Sequence, residues 1–290
     1  MITVTGSTGT IGTELVRLLS EAGAPARAVL RDFTRAPELP HIAPIRADLR
    51  DETLLEPVLA GTRRLFLLTG NAPGFGETQI GVIRAAERLG VEHVVKLSAL
   101  GASPRSKSPL GLEHWQVEQA LEATSMAWTI LRPHTFMQNW LGDVARTVRE
   151  EGVIYAAIGD GRVPFIDARD IAAVAAEVLL HPDRHAGQRY VLTGGEAVGY
   201  GDLARALTDV LGRPVEYRHL TMEEMRARLE SQGVHPQMIE SMLALAAYQK
   251  AGGPTERVSD AVREILGRPP RTIRDFVADY REAFAGARGG

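Results

Sequence analysis

Three glycines set the first chemical expectation. In the segment VTGSTGTIG, Gly6, Gly9 and Gly12 are spaced Gly-x-x-Gly-x-x-Gly, directly between an apolar run and a helical pattern. Gly6 permits a tight turn, Gly9 lets backbone approach a pyrophosphate, and Gly12 allows the helix to lie close on the strand. The turn and helix start then offer backbone N–H groups of Thr8, Thr10 and Ile11, with a positive dipole end, to an anion. A ligand-free turn would use the same glycines, but here the triplet opens a series of strand–helix units. At the end of the second strand the sequence reads LRDFTR. Arg31 comes first after the strand and is suited to a 2′-phosphate, with Arg35 as a helper. Asp32, about twenty residues after Gly12, is suited instead to a ribose 2′-OH. The earlier position of Arg31 favours NADP(H) and leaves NAD(H) open. A solvated Arg–Asp turn would select neither.

Two later loops add candidate contacts. LLTGNAPGFG follows the apolar run at 64–69, beyond a strand's carboxyl end, where ligands of parallel sheets bind. Thr69, Gly70 and Asn71 are expected against the dinucleotide, and Phe75, flanked by glycines, is placed to cover a flat ring. LRPHTFMQNW follows the strand at 128–131, which Pro133 ends beside the cofactor. His134, Phe136, Met137 and Trp140 then make an aromatic and methionine surface suited to a planar aromatic or quinone substrate. Interdomain core is the competing reading for each of these four.

The elements that must position these residues alternate along the chain. Strand patterns occupy Ile2–Thr5, Ala26–Leu30, Arg64–Thr69, Glu92–Ser98 and Trp128–Leu131. Helical patterns occupy Ile11–Ala22, the stretch 48–59, Thr78–Leu89 and Leu112–Ala123. VPFIDARDIAAVAAEVLL predicts a short strand and then a helix capped by Asp170, and QRYVLTG predicts another strand. The expectation is an α/β fold, a doubly wound parallel sheet of Rossmann type. Residues 1–198 form this dinucleotide-binding part, with 135–165 contributing to a substrate cleft. Residues 199–290 form a smaller, mostly helical cap, punctuated by LGRPV, GVHPQ, AGGPT and LGRPPRT. Its helices near 221–248 are expected to shape the acceptor site or serve a dimer, and the Gly/Ala/Arg tail is expected to fray.

Together, GSTGTIG, KLSALGA, LEHWQVEQAL, TILRPHTFMQN and VPFIDARDIA resemble the NmrA-like branch of the atypical short-chain dehydrogenase/reductases. That branch includes quinone reductases, triphenylmethane reductases, isoflavone-reductase relatives and nucleotide-sensing regulators. The resemblance spans nearly the whole chain. Its wider superfamily uses Tyr-x-x-x-Lys and a strand serine to handle the proton that accompanies hydride transfer. The resemblance implies Ser98 as that serine, but the helix reads His114-x-x-x-Glu118 and carries no such tyrosine. His114 titrates near neutrality and can exchange a proton, with Glu118 one turn on to orient it. The same two residues would also make a simple polar pair. The resemblance further implies Lys96 near the nicotinamide ribose, against an ordinary ion pair, and Asp48 and Leu49 in an adenine-contacting turn.

Composition bounds the rest. A net charge of −3 over 290 residues gives no electrostatic footprint for nucleic acid or an anionic membrane. The chain has no cysteine, which excludes disulfides and thiolate chemistry. No leader or membrane-spanning run is visible, so a cytoplasmic monomer or homodimer is expected. His181 and His185 have metal-like spacing, but Pro182 and the lack of a carboxylate cluster argue for no metal. These readings converge on an NAD(P)H-dependent oxidoreductase passing hydride to a quinone or other conjugated aromatic acceptor. A natural-product tailoring enzyme, oxygen-dependent or not, and a non-catalytic redox sensor are the alternatives.

Overall fold

In the computed structural model, which describes residues 1–72 and 74–285, every residue of the first strand β1 (Ile2–Val4) is buried. The later strands are β2 (Ala26–Leu30), β3 (Ile42–Arg46), β4 (Arg64–Leu67), β5 (His93–Leu97), β6 (Ala127–Pro133) and, after the short β7 (Val153–Ala156), β8 (Gln188–Leu192). The main sheet has seven strands in the order β3-β2-β1-β4-β5-β6-β8, every pair parallel. Strands buried on both faces must be apolar throughout, which is why ITV, RLFL and HVVKL read as runs and not as alternation. The strand order reverses between β1 and β4, so a crevice opens at their carboxyl ends.

Helices cover both faces. On one side α1 (Thr10–Glu21) buries Ile11, Leu15, Val16 and Leu19 at helical spacing, each aliphatic chain contributing about 2 kcal/mol of burial. On the other, α2 (Leu55–Leu59), α3 (Phe75–Arg88) and α4 (Pro109–Glu122) enclose Leu65, Leu67 and Val94. After α5 (Asp143–Glu151), α6 (Ala168–Leu180) packs beside α1 in the first core. The remaining elements are α7 (Tyr200–Leu211), β9 (Glu216–His219), α8 (Met222–Ser231), α9 (Pro236–Ala251), α10 (Ala261–Leu266), α11 (Ile273–Asp279) and α12 (Arg281–Phe284). A second core joins Met137, Trp140, Ile154 and Phe165 to Leu203, Phe276 and Phe284. The second lobe therefore draws on residues on both sides of α6, and Ala261 and Val262 of α10 return to the first core.

Several local expectations change. β3 was not foreseen, because Pro44 and three exposed or half-exposed neighbours make an edge strand with little apolar signal. β7 and β9 pair in parallel as a separate two-stranded sheet whose short segments carry no alternation long enough to read. The stretch 48–59 divides into a 3-10 turn at Glu52–Leu54 and α2. The strand expected in VPFI reduces to isolated bridges, Phe136 to Ile166 and Val163 to Val198. Asp167, not Asp170, caps α6 by accepting from Arg169 N. Asp170 is instead a buried anchor, accepting from Arg271 N at 2.7 Å and from the Arg268 side chain at 2.7 Å, which ties the LGRPPRT segment to α6. The Gly/Ala/Arg tail at 286–290 lies outside the described residues. Among the described residues no helix is long and apolar enough to cross a membrane.

Candidate active site

The glycine loop sits at the mouth of the crevice. Gly6 has φ 64°, and a Cβ there would stand 2.8 Å from Leu68 O. A Cβ on Gly12 would lie 2.1 Å from Gly6 O, so α1 could not approach the loop with any side chain at that position. Thr5 Oγ1 donates to Leu68 O at 2.8 Å and accepts from Leu68 N at 2.8 Å, stitching β1 to β4 just past their last paired residues. Ser7 Oγ donates to Val29 O at 2.6 Å and fixes the loop to β2. Gly9 is the N-cap of α1 and supplies no side-chain cap. Among the described residues the N–H groups of Thr10, Ile11 and Gly12 meet no acceptor. Unfilled donors at a helix start, beside backbone with no Cβ, fit a pyrophosphate.

At the end of β2 the two candidate selectors differ in availability. Asp32 accepts from Thr34 N at 2.9 Å and from Thr34 Oγ1 at 2.7 Å, bonds that hold its carboxyl below the usual range. Arg31 is exposed and has no side-chain partner among the described residues. Arg35 lies over the glycine loop, donating to Thr8 O at 2.9 Å. Asp48 is bonded by Arg50, which with the nearby charge of Arg31 draws its pKa down to about 2, and Leu49 packs half-buried against the apolar cluster that α2, α3 and α4 enclose.

Beyond β4 and β5 a polar cluster lies among apolar walls. Thr69 Oγ1 accepts from Gln79 Nε2 at 2.7 Å, while Gly70 and Asn71 are exposed. Lys96 is 0% exposed. Its Nζ donates to Leu97 O and lies 3.1 Å from His114 Nδ1. Burial pulls the Lys96 pKa down to about 7 against the opposing field of Glu118. His114 is lowered well below its ordinary value, first by burial and then by the Lys96 charge. Phe75 packs on the imidazole with ring centroids 4.8 Å apart.

Glu118 does not pair with His114. It accepts from Ser98 Oγ and from Arg132, whose Nε stands at 2.9 Å, and Arg189 Nε is 3.6 Å away. Ser98 follows β5, Arg132 is on β6 and Arg189 on β8, so the strand order itself brings these partners to one buried carboxylate of α4. The one sequence signal was Glu118 lying between Val117 and Leu121 on the inward side of the helix. Gln79 and Glu113, whose Oε2 accepts from Gly76 N at 2.8 Å, also escaped the sequence reading.

One family model matches residues 1–277, under the description NmrA-like family. The chain belongs to the NmrA-like family. An NAD(P)H azoreductase of Xenophilus azovorans is 37% identical over 292 residues, covering 99% of this chain and 100% of that protein. The Streptomyces griseus (4-alkanoyl-5-oxo-2,5-dihydrofuran-3-yl)methyl phosphate reductase is 33% identical, covering 98% and 99% of the two chains. The crystal structure of the Escherichia coli NADPH-dependent quinone oxidoreductase QOR2 with NADPH aligns with TM-score 0.86 at 30% identity, covering 97% of this chain and 100% of that one.

Within this NmrA-like fold the segment after β6 departs from expectation. Met137 and Trp140 are each 1% exposed and belong to the second core, not to a cleft wall. The 3-10 turn at Met137–Leu141 points inward, and Trp140 packs edge-on against Phe165 at 4.7 Å and Phe276 at 5.6 Å. His134 is 4% exposed, and both of its ring nitrogens have partners within the protein. Its Nδ1 accepts from Thr135 N at 2.7 Å and its Nε2 lies 3.1 Å from Thr255 O, so it clips β6 to the 3-10 turn at Gly253–Glu256. Phe136 is half-buried against the first core. Pro133 ends β6, and its carbonyl accepts from Leu100 N at 3.1 Å. A cavity of about 310 Å³ instead lies beside Asn71 and Ala72, walled by Leu110, Val234, His235 and Met238. Its apolar walls come from the start of α4 and the α8–α9 hairpin.

Proposed function

We propose that this chain is an NAD(P)H-dependent reductase that passes hydride to a quinone, an azo compound or another conjugated aromatic acceptor. The observation that carries the reading is an intact anion cradle at Gly6–Gly12 in a chain similar over its full length to reductases of such acceptors. When bound, NAD(P)H supplies the hydride. The protein's part is to hold the pyrophosphate on the N–H groups of Thr10, Ile11 and Gly12 and the 2′-phosphate beside Arg31 and Arg35. Asp48, Leu49, Thr69, Gly70 and Asn71 line the remainder of the nucleotide path, with Lys96 at its inner end. The Phe75 ring, packed on the His114 imidazole, forms the floor of the site. A conjugated acceptor disperses the added electrons over its own ring, which suits a site with no tyrosine acid. The free Arg31, beside an Asp32 already bonded to Thr34, supports a preference for NADP(H). The reading includes a cytoplasmic enzyme, monomer or homodimer, without nucleic-acid or membrane partners, in keeping with a net charge of −3.

Oxidation of NADPH and NADH followed at 340 nm with benzoquinone and with an azo dye, in air and under nitrogen, tests it. Turnover that is independent of oxygen and faster with NADPH is the expected result. Oxygen-dependent turnover would replace the reading with a tailoring oxygenase. Tight nucleotide binding with no turnover would replace it with a sensor.

A further inference from the structure

Hydride addition to a quinone or an azo bond leaves a negative charge on oxygen or nitrogen, and a proton must meet it. A triarylmethane dye cation differs, because hydride alone neutralises it. On the reductase reading above, the site needs a proton source for one class of acceptor and not for the other.

The geometry around Lys96 supplies one. An ammonium carries donors only, so while Lys96 is protonated the 3.1 Å contact makes His114 Nδ1 the acceptor and the imidazole proton sits on Nε2. Nε2 meets no acceptor among the described residues, and Phe75 holds the ring in place. Leu110, one turn before His114 on α4, lines the apolar cavity with Asn71 and Ala72. Glu118 is occupied by Ser98, Arg132 and Arg189, and Glu113 by Gly76 N, so neither carboxylate competes for the imidazole.

We infer that Lys96 and His114 form a two-membered proton relay, in which Lys96 refills His114 as His114 protonates the reduced acceptor. The step balances. The hydride pair forms a new C–H or N–H bond, and the displaced π pair settles on the acceptor oxygen or far nitrogen. That atom takes the proton from Nε2 while the Lys96 ammonium gives one to Nδ1. One N–H bond breaks and one O–H or N–H bond forms at the acceptor. The ring stays neutral, and Lys96 ends as an amine. Solvent then protonates Nε2, and the Nδ1 proton returns to Lys96. The groups facing the pair are few: Glu118 draws Lys96 up, burial draws it down, and Phe75 is neutral. The balance leaves Lys96 able to give up a proton near neutral pH.

The chain has three lysines, Lys96, Lys107 and Lys250, which makes direct titration by ¹⁵N and ¹³C NMR of the nucleotide-free protein practical. His114 is expected in the Nε2–H tautomer, with Nδ1 shifting as Lys96 titrates, and Lys96→Met should abolish that shift. With saturating NADPH at pH 7, Lys96→Met and His114→Gln should each lower the ratio of benzoquinone turnover to cationic triarylmethane dye turnover about 10²-fold. A wild-type Nδ1–H tautomer, or equal losses with quinone and dye, would overturn the relay. Should either variant fail to fold, the wild type decides, since a solvent isotope effect is expected with quinone and absent with dye. No turnover with either acceptor would sink the reductase reading, while the tautomer and titration would still judge the relay.

Discussion

Asp32 commits both carboxylate oxygens to Thr34, whereas Arg31 beside it meets no partner among the described residues. The sequence left both as selectors of the dinucleotide, and the local hydrogen bonds separate them. A charge-assisted bond between Arg31 and a 2′-phosphate is worth about 1.5–3 kcal/mol, or roughly ten- to a hundredfold in affinity. Arg31→Ala should therefore raise the KM for NADPH by about tenfold or more and leave that for NADH nearly unchanged. Parallel loss with both nucleotides would remove Arg31 from the 2′-phosphate site. At the same scale, Lys96 shows how a buried charge reveals itself. A lysine at full burial loses solvation that one hydrogen-bonded carbonyl, one imidazole and a distant carboxylate only partly restore, and its lowered pKa is the result.

The loop and α1 act as a unit, because the helix approaches so closely that Gly6 O stands where a Gly12 Cβ would lie, at 2.1 Å. Gly12→Ala must push α1 away from the loop or distort Gly6, whose φ of 64° admits little further change. The strain should cost about 1–3 kcal/mol of stability. It should also weaken NADPH binding, since displaced N–H groups no longer converge on one anion. Thermal unfolding and NADPH fluorescence titration measure the two effects, and a variant that keeps both would refute the cradle. The same face of α1 is fixed by the packing of Leu15, Val16 and Leu19 in the first core, so the helix has no slack with which to accommodate the extra methyl.

Across the whole molecule, two of the buried histidines, His93 and His134, lie in separate places away from Lys96. His93 at the start of β5 bonds Thr129 Oγ1 at 2.8 Å, and His134 past β6 reaches Thr255. Burial draws each pKa down to about 4. Both are neutral in the folded state and charge readily in the unfolded chain, whose pKa is about 6.5. Between those values the unfolded chain binds more protons, so stability is complete above about pH 6.5 and falls as pH drops toward 4. By pH 5 each should cost about 2 kcal/mol. Urea midpoints between pH 7 and 5 should fall accordingly, and His93→Gln or His134→Gln should flatten the slope. A flat wild-type profile would contradict the buried neutral state. His134 also joins the Rossmann sheet to the 3-10 turn after α9, as Asp170 joins α6 to the segment before α11, so the lobes are tied by polar contacts that span over a hundred residues.

By itself the sequence determined the features that depend on near neighbours. These are the glycine triplet, the alternation of buried strands with amphipathic helices, and the replacement of a tyrosine by His114, because backbone sterics and apolar periodicity act over a few residues. Tertiary structure decided the partners of buried polar groups. Glu118 was a turn away from His114 in sequence yet bonds Ser98, Arg132 and Arg189, and His114 turns to Lys96. Met137 and Trp140 looked equally fit for a cleft or a core, and the inward 3-10 turn placed them in the core. A buried charge or ring takes whichever partner the adjacent strands deliver, and strand adjacency is a property of the folded sheet that no local spacing encodes.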